Sequence, residues 1–229
     1  MPRQARAVIA NIPYHIIHRG NNRQAIFFGE NDYKFFLEVM KEAKEKHPNK
    51  VYAYVLMSNH VHLLLEPKKR ENLHQFIKLL AAKYTRYINR IHQRTGVLWE
   101  GRFRSSPVGG ERYFLACLRY VEMNPLRAGM VKELEEYPWS SYRFRACGEN
   151  SKILDYDVWY EALGEEALVR QKRYRKLFQE TLVESEWKLI REMVNRGGIT
   201  GNQKFSEKIE KILGRKIILR PIGRPKIKK

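Results

Sequence analysis

Two histidines, His60 and His62, stand two residues apart at the head of the apolar run Val61-His62-Leu63-Leu64-Leu65. In a strand, residues i and i+2 point to the same face. The two imidazoles would then lie side by side, close enough to hold one metal ion. A strand otherwise made of valine and leucine has no packing need for two polar rings, and neutral imidazole is a good metal ligand. Farther along, Tyr120 and Asn124 sit four apart in Tyr120-Val121-Glu122-Met123-Asn124-Pro125. On a helix that spacing also gives one shared face. A tyrosine becomes a competent nucleophile once a metal or base lowers its pKa, and it then forms a covalent intermediate. Asn124, or a Gln or Glu elsewhere, could offer the metal an oxygen. Mg²⁺ prefers oxygen ligands, whereas Mn²⁺ tolerates imidazole plus carbonyl oxygen. Either ion, the expected cofactor, would polarise a phosphodiester.

Charge points to the same substrate. The 229 residues contain 44 Lys+Arg against 25 Asp+Glu, a formal net charge of +19. Such a balance fits a polyanion, nucleic acid first and an anionic membrane surface second. Arg19, Asn21, Asn22 and Arg23 follow the first predicted strand. Trp99, Arg102 and Arg104 alternate aromatic and basic character in Trp99-Glu100-Gly101-Arg102-Phe103-Arg104. Cations bind phosphates, and aromatic rings offer stacking planes to unpaired bases. Near the end, Gly223-Arg224-Pro225 within a basic run suits an AT-rich minor groove. The bland alternatives are a solvated loop with one packing tryptophan and a plain basic tail. Only Cys117 and Cys147 are present, with no CxxC pair, which excludes a disulfide framework and a structural zinc finger. No signal peptide is evident, and no apolar run approaches the ~20 residues of a membrane span. The expected location is the cytoplasm.

These residues need elements to position them. Residues 12–19 read as a strand, ended by the turn Gly20-Asn21-Asn22. A helix capped by Asn31 or Asp32 runs to about 46. Strands follow at 51–57 and 60–66, joined by the tight turn Ser58-Asn59. Asn72 is expected to cap a long helix over 73–92, a fourth strand lies within 97–108, and a helix spans 111–123. Pro125 marks its end. The order β-α-β-β-α-β-α predicts an α+β, ferredoxin-like antiparallel sheet, with two helices on one face and the other face free for a site. Residues 1–145 would form this domain. Residues 146–229 would form a helical extension, with an amphipathic piece over 205–213 and a basic tail disordered when free.

Taken together, Pro13-Tyr14-His15, Arg19 to Arg23, Val55 to Leu63, Leu98 to Phe103 and Arg119 to Met130 resemble the REP-associated tyrosine transposases. These are relatives of the single-tyrosine transposases in the HUH endonuclease superfamily. The resemblance covers roughly residues 8–145. It implies an enzyme that cuts and rejoins single-stranded DNA at short palindromic hairpins beside a guide tetranucleotide. It makes His60 and His62 metal ligands, Tyr120 the nucleophile and Asn124 the third ligand. It also implies a 5′-phosphotyrosine link, a freed 3′-OH, and action as a monomer or a homodimer. Glu100 is a rival for metal or water binding. The competing reading is a domesticated hairpin binder, of DNA or RNA, without cleavage. A sheet-based RNA-binding module and a zinc hydrolase rank lower. The first lacks a suitable pair of strand aromatics, and the second lacks a third strong ligand after His62.

Overall fold

The computed structural model describes residues 8–179 and 184–219. Four strands form its sheet: β1 (Tyr14–Arg19), β2 (Asn49–Met57), β3 (His60–Pro67) and β4 (Arg104–Pro107). Their order is β2-β3-β1-β4, with every pairing antiparallel. The helices α1 (Glu30–Lys46), α2 (Asn72–Ile91) and α3 (Glu111–Glu122) interleave with them as the sequence pattern predicts. This is the ferredoxin-like, α+β arrangement.

Two capping expectations need correction. Gly29 occupies the N-cap of α1, and Asp32 lies at the third helical position. From there its carboxylate accepts from the backbone N–H groups of Phe28 and Gly29, at 2.8 and 3.2 Å. Asn72 is the first residue of α2 rather than its cap. Its side-chain amide donates to Pro48 O at 2.8 Å, tying the helix to the start of β2.

Strand alternation divides the core. Ile16, Leu63 and Leu65 face α1 and α2, where they meet Phe36, Met40, Phe76, Leu80, Tyr84 and Ile88. The opposite residues, Ala53, Val55, Met57 and Leu64, pack against Phe114, Cys117, Leu118 and Val121 of α3. The second face is therefore not free, as the sequence suggested. It carries too much apolar surface on β2 to be left in water.

After α3 come two short helices, α4 (Asn124–Arg127) and α5 (Tyr142–Ala146), and then the extension. The extension holds α6 (Val158–Glu161), α7 (Ala167–Gln179), α8 (Glu184–Arg196) and α9 (Gln203–Leu213). Trp187 and Ile190 of α8 join α3 on the second face of the sheet. Past α8, Thr200 bridges Val108 in parallel, and Ser106 Oγ donates to Gly198 O at 2.9 Å. This covers the β4 edge, which would otherwise expose unpaired backbone groups.

A buried polar network joins the extension to the sheet domain. Arg145 is fully buried and contacts Asp157 at 3.0 Å, while also donating to Tyr52 O at 2.6 Å and Asp155 O at 3.0 Å. Glu122, also fully buried, accepts from Ser141 Oγ at 2.5 Å and from Tyr174 OH of α7 at 2.7 Å. Burial, the largest influence, raises the Glu122 pKa; the Arg145 charge and these hydrogen bonds oppose it. No helix among the described residues is long and apolar enough to cross a membrane.

Candidate active site

Strand register builds the site. In β1 and β3, Ile17 lies opposite His62 and Arg19 opposite His60. On the far side of β3, Val55 lies opposite His62 and Met57 opposite His60. His15, Ile17 and Arg19 alternate onto the same sheet face as His60 and His62. Arg104 and Ser106 of β4, paired with Ile17 and His15, extend that row to the sheet edge.

The two histidine rings sit 5.0 Å apart between centroids, nearly perpendicular. Tyr120 descends from α3 onto them. Its ring lies 5.5 Å from that of His62 and 5.3 Å from that of His15, in edge contact with both. His60, His62 and Tyr120, selected from sequence, are thus brought into one cluster. His15 is the member that sequence reasoning did not single out as a site residue. Its signal was present in the alternation His15-x-Ile17-x-Arg19, but only strand pairing brings it beside His62.

Hydrogen bonds decide which ring nitrogens keep a lone pair. His60 Nδ1 lies 2.6 Å from Asn59 Oδ1, which can only accept, so the proton sits on Nδ1 and Nε2 keeps its lone pair. His62 Nδ1 lies 2.9 Å from His15 Nε2. When His62 donates in that bond, its own Nε2 is likewise bare. His15 must then carry its proton on Nδ1, a buried atom without a partner among the described residues. Burial lowers the His15 pKa to about 3. Burial, helped by the nearby Arg19 charge, lowers that of His60 to about 4. His62 is pushed down by burial first, then by His15, His60 and Arg19. All three rings are neutral at pH 7, the state that binds metals.

The residues present fit a divalent metal held by two imidazoles and oxygen. Among the described residues, no group of three or more His, Cys, Asp or Glu side chains converges as a metal site. Asn124 stands at the start of α4, one turn beyond Tyr120 but past the end of α3. Its Nδ2 donates to Tyr120 O at 2.6 Å and Val121 O at 3.2 Å, which leaves Oδ1 as the atom a metal could use. Glu100 is exposed and lines a small cavity with Arg19, Arg102, Arg104 and Asn195.

Tyr120 is only 5% exposed. Burial raises its pKa to about 12, against the opposing pull of Arg191, Arg127 and Arg19. The phenol is thus held protonated, with three cations able to stabilise a developing phenolate. Trp187 of α8 roofs it at 4.2 Å, and the Arg127 guanidinium lies 4.0 Å over that indole.

The remaining candidates divide between the two sheet faces. Arg19 and Arg104 lie on the histidine face. Trp99 is on the other side, stacked on His18 at 4.1 Å, and its indole N–H donates to Ala81 O at 3.4 Å. With Arg102, Lys78 and Arg86 it lines an open groove of about 460 Å³ over α2. Asn21, Asn22 and Arg23 form an exposed turn after β1, and Asn22 and Arg23 adopt left-handed φ values of 50° and 57°. Asn59 Nδ2 fastens this turn by donating to Arg23 O at 3.2 Å. Arg224 and the rest of the basic tail from residue 220 on lie outside the described residues.

Residues 8–124 match the family model described as Transposase IS200 like, and the chain belongs to that family. A similar curated protein is a REP-associated tyrosine transposase of Haemophilus influenzae, 26% identical over 117 residues. That match takes in 47% of this chain and 66% of the relative, just under two thirds of its length. Among solved structures, a REP-associated tyrosine transposase bound to a REP hairpin shares the fold. Its TM-score is 0.52 at 16% identity, covering 69% of this chain and 93% of that one.

Proposed function

We propose that the protein is a metal-dependent single-strand DNA endonuclease and strand-transfer enzyme that acts at palindromic hairpins. The observation that carries this reading is the contact of the Tyr120 ring with the His15–His62 pair, beside His60 on one strand. In this reading His60 Nε2, His62 Nε2 and an oxygen, that of Asn124, hold Mg²⁺ or Mn²⁺. The bound ion supplies charge stabilisation at a phosphodiester.

The side chains supply the rest. Tyr120 Oη gives up its proton and attacks phosphorus. The new bond is O–P to tyrosine, and the bond broken is that to the 3′ oxygen. That oxygen takes up a proton and leaves as a free 3′-OH, while the 5′ phosphate stays on Tyr120. Attack of a 3′-OH on the phosphotyrosine reverses the bond changes and rejoins strands. Arg19 and Arg104 are assigned to the DNA backbone on the histidine face. Trp99 and Arg102 are assigned to unpaired bases on the other, and the Asn21 to Arg23 turn and Arg224 to further phosphates. Residues 1–145 form the nuclease domain and 146–229 an extension in this proposal. The protein acts in the bacterial cytoplasm, as a monomer or a homodimer.

A second reading, a hairpin binder that does not cut, is favoured by one feature: the near-complete burial of Tyr120 under Trp187. Covalent chemistry separates the two. Single-stranded oligonucleotides covering palindromes that flank the gene are incubated with protein and Mg²⁺ or Mn²⁺, then resolved on a denaturing gel. The expected result is a protein–DNA band that EDTA and Tyr120→Phe abolish, with hairpin binding by the variant kept within a few-fold. Tight binding with no band would establish the binder instead.

A further inference from the structure

The family match ends at residue 124, yet helix α8 covers the candidate site from outside it. Trp187, Arg191 and Asn195 follow one another at four-residue steps, so they share one stripe of α8. Both ends of the stripe are anchored. Trp187 packs on Tyr120 at 4.2 Å, and Asn195 Oδ1 accepts from Arg104 Nη1 of β4 at 2.8 Å. Arg191 lies between those anchors, over the sheet face that carries Arg19, His60 and His62. The Asn195 side chain donates to Arg191 O at 2.7 Å, which braces the helix at that step. Arg191 is exposed, whereas the two anchors are buried or half-buried. Its charge is the strongest of the cations acting on the Tyr120 phenol, and it also acts on Arg19. An exposed guanidinium on a helix fixed at both sides, close enough to Tyr120 for its charge to act there, is placed to take a phosphate.

We propose that α8 is part of the active site and that Arg191 binds the DNA phosphate at Tyr120. This rests on the endonuclease reading above and extends the site beyond the matched family segment. Arg191 would pair with phosphate oxygens opposite the histidines, and Arg127, stacked on Trp187, would flank it.

The test compares the wild-type protein with Arg191→Gln and with Lys172→Gln, which removes an exposed charge from α7. Melting temperatures first establish that all are folded. Binding of a fluorescent single-stranded hairpin oligonucleotide, one of the flanking palindromes, is then followed by anisotropy over a salt series. Removing one cation–phosphate pair should lower the slope of log K against log salt by about 0.7 to 0.9. The expected result is that decrease for Arg191→Gln and an unchanged slope for Lys172→Gln. With an oligonucleotide that is cleaved, adduct formation by Arg191→Gln should also slow at least tenfold at saturating DNA. An unchanged slope, or equal decreases for the two variants, overturns the proposal. The binding measurement does not require cleavage, so failure of Tyr120 to form any adduct would sink the endonuclease reading separately.

Discussion

At the scale of single residues, the cluster depends on which ring nitrogen is bare. His60 is settled locally, by the neighbouring Asn59. His62 depends on His15, two strand positions away on a different strand. Such outer partners fix ligand orientation, and their loss typically costs 10- to 100-fold in metal affinity. His15→Phe keeps a ring of similar volume and removes Nε2. We expect Mn²⁺ affinity, measured by calorimetry, to fall by about that factor. Equal affinity in variant and wild type would make His15 a packing residue only. His60, His62 and Tyr120 were legible in the sequence because each is marked by a local period, two in a strand or four on a helix. His15 was not, because its role arises from the pairing of β1 with β3. Trp187 and Arg191 carried no local mark at all. Trp187 meets Tyr120 only through the docking of α8, which no period within α8 announces.

At the scale of elements, the sheet and its first three helices were readable to within a few residues. Apolar alternation, the Ser58-Asn59 turn and Pro125 all act locally, and they agree with the fold. The second face of the sheet does carry the histidine–tyrosine cluster, but its cover by α3 and α8 was not foreseen, because both reach it from a distance. The extension was harder still, since α6, α7 and α8 are polar and are held by a few buried contacts. Arg145 is the most telling of these. It is fully buried with one ion pair and two backbone acceptors. Removing one partner of a buried pair strands the other charge, at a cost of about 3–5 kcal/mol. Arg145→Ala should lose stability in that range in urea unfolding. A loss below about 1 kcal/mol would mean that water replaces the guanidinium there, as at an exposed pair.

At the scale of the whole molecule, the proposed partner, DNA, would be met through charge. A net charge of +19 spreads attraction over the surface, so individual cations must be told apart by salt dependence. Deletion of residues 220–229 removes Arg224 and its basic neighbours. Hairpin affinity should fall, and the salt slope should shrink by roughly 0.7 to 0.9 for each phosphate that the tail neutralises. A slope equal to that of the intact chain would show that the tail does not touch DNA. Composition and length pointed to a polyanion partner from the outset. They did not reveal that the basic residues fall on two opposite faces of one sheet, since that division follows from strand alternation in three dimensions.

The buried carboxylate of Glu122 has a bearing on what can be transplanted. It lies two residues from Tyr120, on the same helix, and one of its two hydrogen-bond donors is Tyr174 in the extension. A fragment ending at the family boundary would carry every residue of the histidine–tyrosine cluster. It would also carry an acid stripped of both donors, Ser141 and Tyr174, and of the Arg145 charge that favours its ionised form. The unit that can be moved between proteins, or trimmed to a minimal nuclease, is therefore larger than the segment that the family shares.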